Sequence, residues 1–278
     1  MKTERNTMQE IDVPFILESI RHTGDTFLQT FKQNNIPQDQ EELMSQFQEI
    51  DKKCLVMLQD ALNLMYLEIP WAEDSEFDFE QQKQPLDLPE FWLCDSMDGA
   101  VQYMRHLPGW TINLVLVREG RPYLAVIYDP MQQEMYWAKE GEGAYLNGKP
   151  LQVKAKSELW LMLSVFEHPA LSKSVTGLNH RIGASVEELL DQFGTVRNYG
   201  PHGLQLAWLG AGRIDVFCQE GLDTYNCLPG ILIAKEAGAQ ISTTDGRDWT
   251  WGADSLFVAA PGVLERFLNK ESNGMLSF

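Results

Sequence analysis

The hydrophobic repeat of this chain changes twice, and the order of those changes limits the folds open to it. From Asp12 and Pro14 onward, Ile16, Ile20, Phe27 and Phe31 recur on a helical stripe, and the acidic residue followed by proline predicts the helix start. After a turn around Asn34 to Pro37, the residues Leu43, Phe47, Ile50, Cys54, Met57, Ala61 and Met65 recur every three or four positions. This predicts a long second amphipathic helix that carries Asp51 and ends before Pro70.

From Phe91 the period becomes that of strands. Phe91 to Cys94 runs into Asp95, Thr111 to Val117 and Tyr123 to Tyr128 flank a turn at Glu119 to Pro122, and Met135 to Ala138 and Ala144 to Leu146 precede Asn147-Gly148. A domain boundary is placed near Pro150, giving an N-terminal α+β unit over 1–150 and a C-terminal α/β unit over 151–278. In the second unit, strands are expected at Leu159 to Val165, Val196 to Tyr199, Ile214 to Phe217, Gln240 to Thr243 and Ser255 to Ala259. Helices are expected at Val186 to Phe193, Leu204 to Leu209, Leu228 to Ala237 and Pro261 to Leu268, so the expected class is layered α/β.

Composition narrows the partners. A net charge of −18 over 278 residues repels nucleic acid and anionic lipid, so neither a nucleic-acid polymer nor a membrane is expected as partner. No apolar run reaches the ~20 residues needed to span a bilayer, and Met1 to Glu10 is polar and mixed in charge, unlike a signal peptide. A cytoplasmic location is expected. The cysteines, Cys54, Cys94, Cys218 and Cys227, form no Cys-x-x-Cys pair and read as reduced thiols. An anionic substrate approaching such a surface needs a cationic intermediary, and a divalent metal is the economical one.

Asp95-Ser96-Met97-Asp98-Gly99 follows an apolar strand and sets two carboxylates around a tight turn closed by glycine. Both carboxylates and the Met97 carbonyl can converge there on one hard cation. Alone, such a turn is an ordinary solvated one, as is the acidic pair Glu73-Asp74 upstream.

Read together, Trp71 to Ser75, Leu93 to Gly99, Gly141 to Gly148 and Gly230 to Gly238 follow in the order and spacing of the inositol monophosphatase family, which the chain resembles over about residues 12 to 268. The resemblance implies an αβαβα layered sandwich, usually dimeric, that hydrolyses small phosphate monoesters with Mg²⁺. By position, Glu73, Asp95, the carbonyl of Met97, Asp98 and Asn226 fall on metal ligands, with Glu73, Asp95 and Asp51 carrying catalysis. Asp51 matches the aspartate that orients the attacking water. Asp98, Gly99, Ala100, Gly200, His202, Gln219 and Asp223 fall on substrate-facing positions.

Three departures set this chain apart. The family motif Asp-Pro-x-Asp-Gly-Thr here has Ser96 and Ala100, so the threonine hydroxyl that helps activate water is gone. The Trp-Asp pair before the last family helix is Tyr225-Asn226, which replaces a charged metal ligand by a neutral amide that also suits a helix N-cap. The family lysine between the first two helices has no counterpart in Gln38 to Glu42. Two readings follow: a Mg²⁺-dependent hydrolase of a phosphorylated polyol, sugar or nucleotide, or a catalytically impaired relative working as a binding or regulatory dimer.

Overall fold

The computed structural model describes residues 8–72, 80–169 and 175–269. Two capped helices open it. In α1 (Val13–Thr30) the Asp12 carboxylate accepts from Phe15 N at 3.0 Å, and in α2 (Gln40–Tyr66) Asp39 accepts from Glu42 N at 2.9 Å. Then come β1 (Glu90–Asp98), the short helix α3 (Ala100–Met104), β2 (Thr111–Arg118), β3 (Arg121–Asp129), β4 (Glu134–Lys139), β5 (Gly143–Leu146) and β6 (Lys149–Pro150). The six strands pair antiparallel in chain order. Glu119-Gly120 and Asn147-Gly148 turn their hairpins with positive φ at both residues, as the twist of paired strands favours.

The second sheet holds β7 (Leu163–Glu167), β8 (Thr195–Arg197), β9 (Val216–Glu220), β10 (Gln240–Ser242) and β11 (Ser255–Ala259) in the order β10-β11-β9-β7-β8. Strand β7 runs parallel to both neighbours, and the other pairings are antiparallel. The helices of this half are α4 (Leu178–Gln192), α5 (His202–Gly210), α6 (Thr224–Glu236) and α7 (Val263–Leu268).

The burial of alternate strand residues explains the layering. Trp92, Leu114, Leu116, Val126 and Tyr128 pack against Ile16, Ile20, Leu58 and Leu62 of α1 and α2. Their neighbours Phe91, Val115, Val117, Ala125 and Ile127 pack the other way, onto Leu204 of α5 and Leu228 and Leu232 of α6. With both faces covered, β2 reads as a nearly unbroken apolar run. Helices α5 and α6 also bury Leu206, Leu209 and Ile231 against Val165, Phe217 and Val258 of the second sheet, and Leu189 of α4 and Phe267 of α7 close its far side. The result is the αβαβα sandwich, and a helix sandwiched in this way is apolar around most of its circumference, as α6 is.

Several element ends differ from expectation. Leu159 to Leu161 forms a 3₁₀ turn, so β7 starts at Leu163. Helix α4 starts at Leu178 rather than Val186, because its first turns carry His180, Arg181 and Gly183 and lack an apolar stripe. Helix α3 was not expected, being too short to display a period.

Helices α5 and α6 touch closely at Gly230, where a Cβ would overlap Leu206 Cβ of the facing helix. Gly230→Ala should therefore destabilise the protein by about 1–3 kcal/mol despite the better helix propensity of alanine, a loss that urea denaturation would register.

Candidate active site

The site is built where β1 breaks from its partner. Asp95 pairs with Asn113 and Asp98 with Thr111, so the register shifts between them and the acidic turn bulges out of the sheet. Gly99 then takes φ +86°, and a Cβ there would lie 2.7 Å from Gly109 O, so only glycine carries the chain from the bulge into α3. Cys54 of α2 donates to Ser96 O at 3.0 Å from below. The Ser96 hydroxyl donates to Asp51 Oδ1 and, at 3.0 Å, to Asp51 O. Asp51 thus stands behind the turn and anchors it.

Asp95, Met97, Asp98, Gly99 and Ala100 line a cleft of about 410 Å³. Opposite them lie Glu167 at the end of β7, Gly200 and His202 at the start of α5, and Asn226 in α6. The expected site residues Asp95, Met97, Asp98, Gly99, Ala100, Gly200, His202 and Asn226 are therefore brought together. Gln219 and Asp223 instead line a separate small cavity beside Thr224 and Ser255. Gln219 is 2% exposed, accepts from Cys227 Sγ at 3.0 Å and donates to Gly221 O at 3.4 Å. Glu73 and Asp74 lie outside the described residues.

Asp98 is the most constrained member. Its Oδ2 accepts from Asn113 Nδ2 at 2.7 Å and from Gly203 N at 3.2 Å, in the first turn of α5. Burial pushes its carboxyl up to about 6, against the pull of His202 and those two donors. A Cβ at position 203 would sit 2.6 Å from Asn113 Nδ2 and 3.1 Å from Asp98 Oδ2, which explains the glycine. Gly203→Ala should therefore displace Asp98 and lower any phosphate-releasing activity about tenfold or more, with a smaller effect on thermal stability than on rate.

His202 is enclosed by acid. Its Nε2 lies 3.3 Å from Asp223 Oδ2 and 3.9 Å from Glu167 Oε2. Burial opposes the charged ring, yet Asp223, Glu167 and Asp98 outweigh it together and raise the imidazole above its ordinary value. Burial likewise raises Asp223, against His202 and the Asn226 side chain. Asp223 occupies the cap position of α6, so Asn226 sits in the first turn rather than capping it.

Three contributors escaped the sequence reading. Asn113 holds Asp98, and its only signal was an amide inside the apolar run of β2. Glu167 ends β7, a position where sheets of this kind gather ligand-binding groups. Gln205 bridges to Glu167 Oε1 at 2.6 Å and had no sequence signal.

The donors fit a divalent ion. Asp95 and Asp98 line one cleft wall on either side of Met97, and among the described residues no lysine or arginine lines the cleft to neutralise them. Among the described residues no three acidic, histidine or cysteine side chains close into a metal cage. Mg²⁺, which keeps several waters and needs only one or two carboxylates, is compatible with that set.

The fold and this acidic turn define a protein of the inositol monophosphatase type, and the profile of that family matches residues 21–276. The chain belongs to the inositol monophosphatase family. It is 30% identical over 187 residues to an inositol-1-monophosphatase of Caulobacter vibrioides, covering 65% of this chain and 72% of that one. It is 26% identical over 221 residues to the Nus factor SuhB of Escherichia coli K12, covering 79% of each. Among solved structures, the extragenic suppressor protein suhB of Bartonella henselae superposes with a TM-score of 0.75 at 18% identity, over 94% of this chain and 98% of that one. The IMPase of Thermotoga maritima gives 0.73 at 20% identity, over 93% and 98%. Among the described residues, no helix is long and apolar enough to cross a membrane.

Proposed function

We propose that this chain hydrolyses a small phosphate monoester with Mg²⁺ bound at the Asp95–Asp98 turn. The observation that carries the reading is the bulged acidic turn of β1, facing the first turn of α5 across one cleft. A water oxygen bonds to phosphorus, the ester P–O bond breaks, and the alcohol leaves with a proton as inorganic phosphate forms. Bound at Asp95, Met97 O, Asp98 and, in this reading, Glu73, the metal would supply charge neutralisation and a more acidic water. Asn113 and Gly203 N orient Asp98, and Ser96 ties the turn to Asp51. His202 places positive charge at the cleft floor beside Asp223 and Glu167.

A cytoplasmic homodimer with a domain boundary near Pro150 belongs to the same reading. The net charge of −18 favours a small molecule over a nucleic-acid polymer. The test is phosphate release from a panel of monoesters with and without Mg²⁺, in the parent and in Asp95→Asn. Mg²⁺-dependent release that Asp95→Asn abolishes supports the hydrolase, and release unaffected by that substitution removes it.

A second reading has a specific motive. Ala100 and Asn226 lack the family hydroxyl and carboxylate, and several relatives carry the name Nus factor SuhB, so the chain would act by association rather than turnover. No release from any monoester by a folded parent favours it.

A further inference from the structure

The cleft has two unlike walls. On the C-terminal side most polar groups face the protein: Asn198 Nδ2 donates to Phe166 O at 2.8 Å, His168 Nδ1 lies 3.1 Å from Pro169 O, Asn226 is directed at Asp223, and His202 Nε2 lies 3.3 Å from Asp223 Oδ2. On the N-terminal side, beyond Asp95, Asp98 and Gln102, the wall is carbon, from Leu43, Met44 and Phe47 of α2 and Val101 and Met104 of α3. Met44 and Val101 are 38% and 51% exposed, so this part of the wall presents apolar surface to whatever enters the cleft. Among the described residues, no lysine or arginine lines the cleft, whereas Asp95, Asp98 and Glu167 do.

We propose that the alcohol part of the substrate is an aromatic ring and that the substrate carries a single phosphate, so the site prefers aryl-type monoesters to polyol phosphates and bisphosphates. This rests on the hydrolase reading for its phosphate end only. A polyol laid against the α2–α3 wall would exchange hydrogen bonds to water for contacts with carbon, at a cost per hydroxyl. Gln219, which the family resemblance assigned to hydroxyl recognition, is turned inward and bonded to Cys227 and Gly221. Among the described residues a second phosphate would find three carboxylates and no lysine or arginine, and the His202 charge is already faced by Asp223 and Glu167. A ring, in contrast, buries carbon on carbon, and a volume of about 410 Å³ holds a bicyclic ring with a phosphate.

The experiment separates the two readings. Naphthalen-1-ylmethylphosphonate, which cannot be hydrolysed, is titrated into the full chain with Mg²⁺ by following its fluorescence, with methylphosphonate, myo-inositol 1-phosphate and fructose 1,6-bisphosphate as competitors. The expected result is binding about tenfold or more tighter than any competitor. In Met44→Gln/Val101→Ser, checked for an unchanged melting profile, the preference over methylphosphonate should fall about tenfold. No binding of the naphthyl compound, tighter binding of either sugar ester, or an unchanged preference in the variant overturns the proposal. If the naphthyl compound binds but neither 1-naphthyl phosphate nor any other monoester of the panel is hydrolysed, the ring site stands and the hydrolase reading fails. If inositol phosphate is hydrolysed while the naphthyl compound does not bind, the reverse holds.

Discussion

The double variant Ala100→Thr/Asn226→Asp is expected to release phosphate about 10²-fold faster or more than the parent at saturating Mg²⁺, the range a positioned acid–base group supplies. Ala100 is the first residue of α3, directly after Gly99, and it lines the cleft beside Asp95 and Asp98. A threonine there adds its hydroxyl at the cleft wall, at the edge of the core against which Ala100 packs. Asn226 lines the same cleft from the first turn of α6, where its amide faces Asp223. An aspartate at that position would set two carboxylates side by side and make each harder to ionise. The metal-free double variant should therefore melt below the parent and recover with Mg²⁺, as a cation supplies the missing charge. An equal rate in parent and double variant, with the parent active, would show that turnover does not pass through these two positions.

His202→Ala should cost about 3–5 kcal/mol near pH 6 in the metal-free protein, because it leaves Asp223 and Glu167 buried without their cation. The pH dependence has a definite sign. The imidazole is raised above its ordinary 6.5, so the stability it supplies is complete below 6.5 and is lost as pH rises through its higher folded value. The gap between parent and variant should narrow on the alkaline side. Asp98 acts in the same sense at lower pH: raised from 3.8 to about 6, it withdraws stability as pH climbs between those values. Denaturant midpoints measured from pH 5 to 9 in chelator would check both. A constant gap across that range would mean that His202 is neutral in the fold and contributes only packing.

The reach of the sequence varied with the kind of constraint. Strands β2, β3, β10 and β11 and helices α1 and α2 were legible because apolar periodicity is a local signal, as are the Asp12 and Pro14 helix start and the Asn147-Gly148 turn after β5. Helix α4 was shortened in the reading because its first turns are polar, and α3 was missed because five residues show no period.

At the site, the Asp95–Asp98 turn was readable because strand, carboxylates and glycine are contiguous. Its ordering of a cation and a substrate against α5 and α6 was inferred only through the family resemblance. Residues that act across the fold carried no such mark: Asn113 looks like a flaw in a strand until Asp98 is seen beside it. Gln219 belongs by position to the substrate's surroundings, yet β9 directs it into a second cavity, which Asp223 also lines while its carboxylate meets His202 of the cleft.

The sequence by itself determined the layered α/β class and the acidic turn, since each is written in neighbouring residues, whereas the two missing functional groups showed only against the family motif. Only the tertiary structure decided that His202 sits among three acids and that α2 and α3, Gln102 apart, face the cleft with carbon. Those facts depend on contacts between segments far apart in the chain, and burial, which sets their charge and hydration, exists only once the layers have packed.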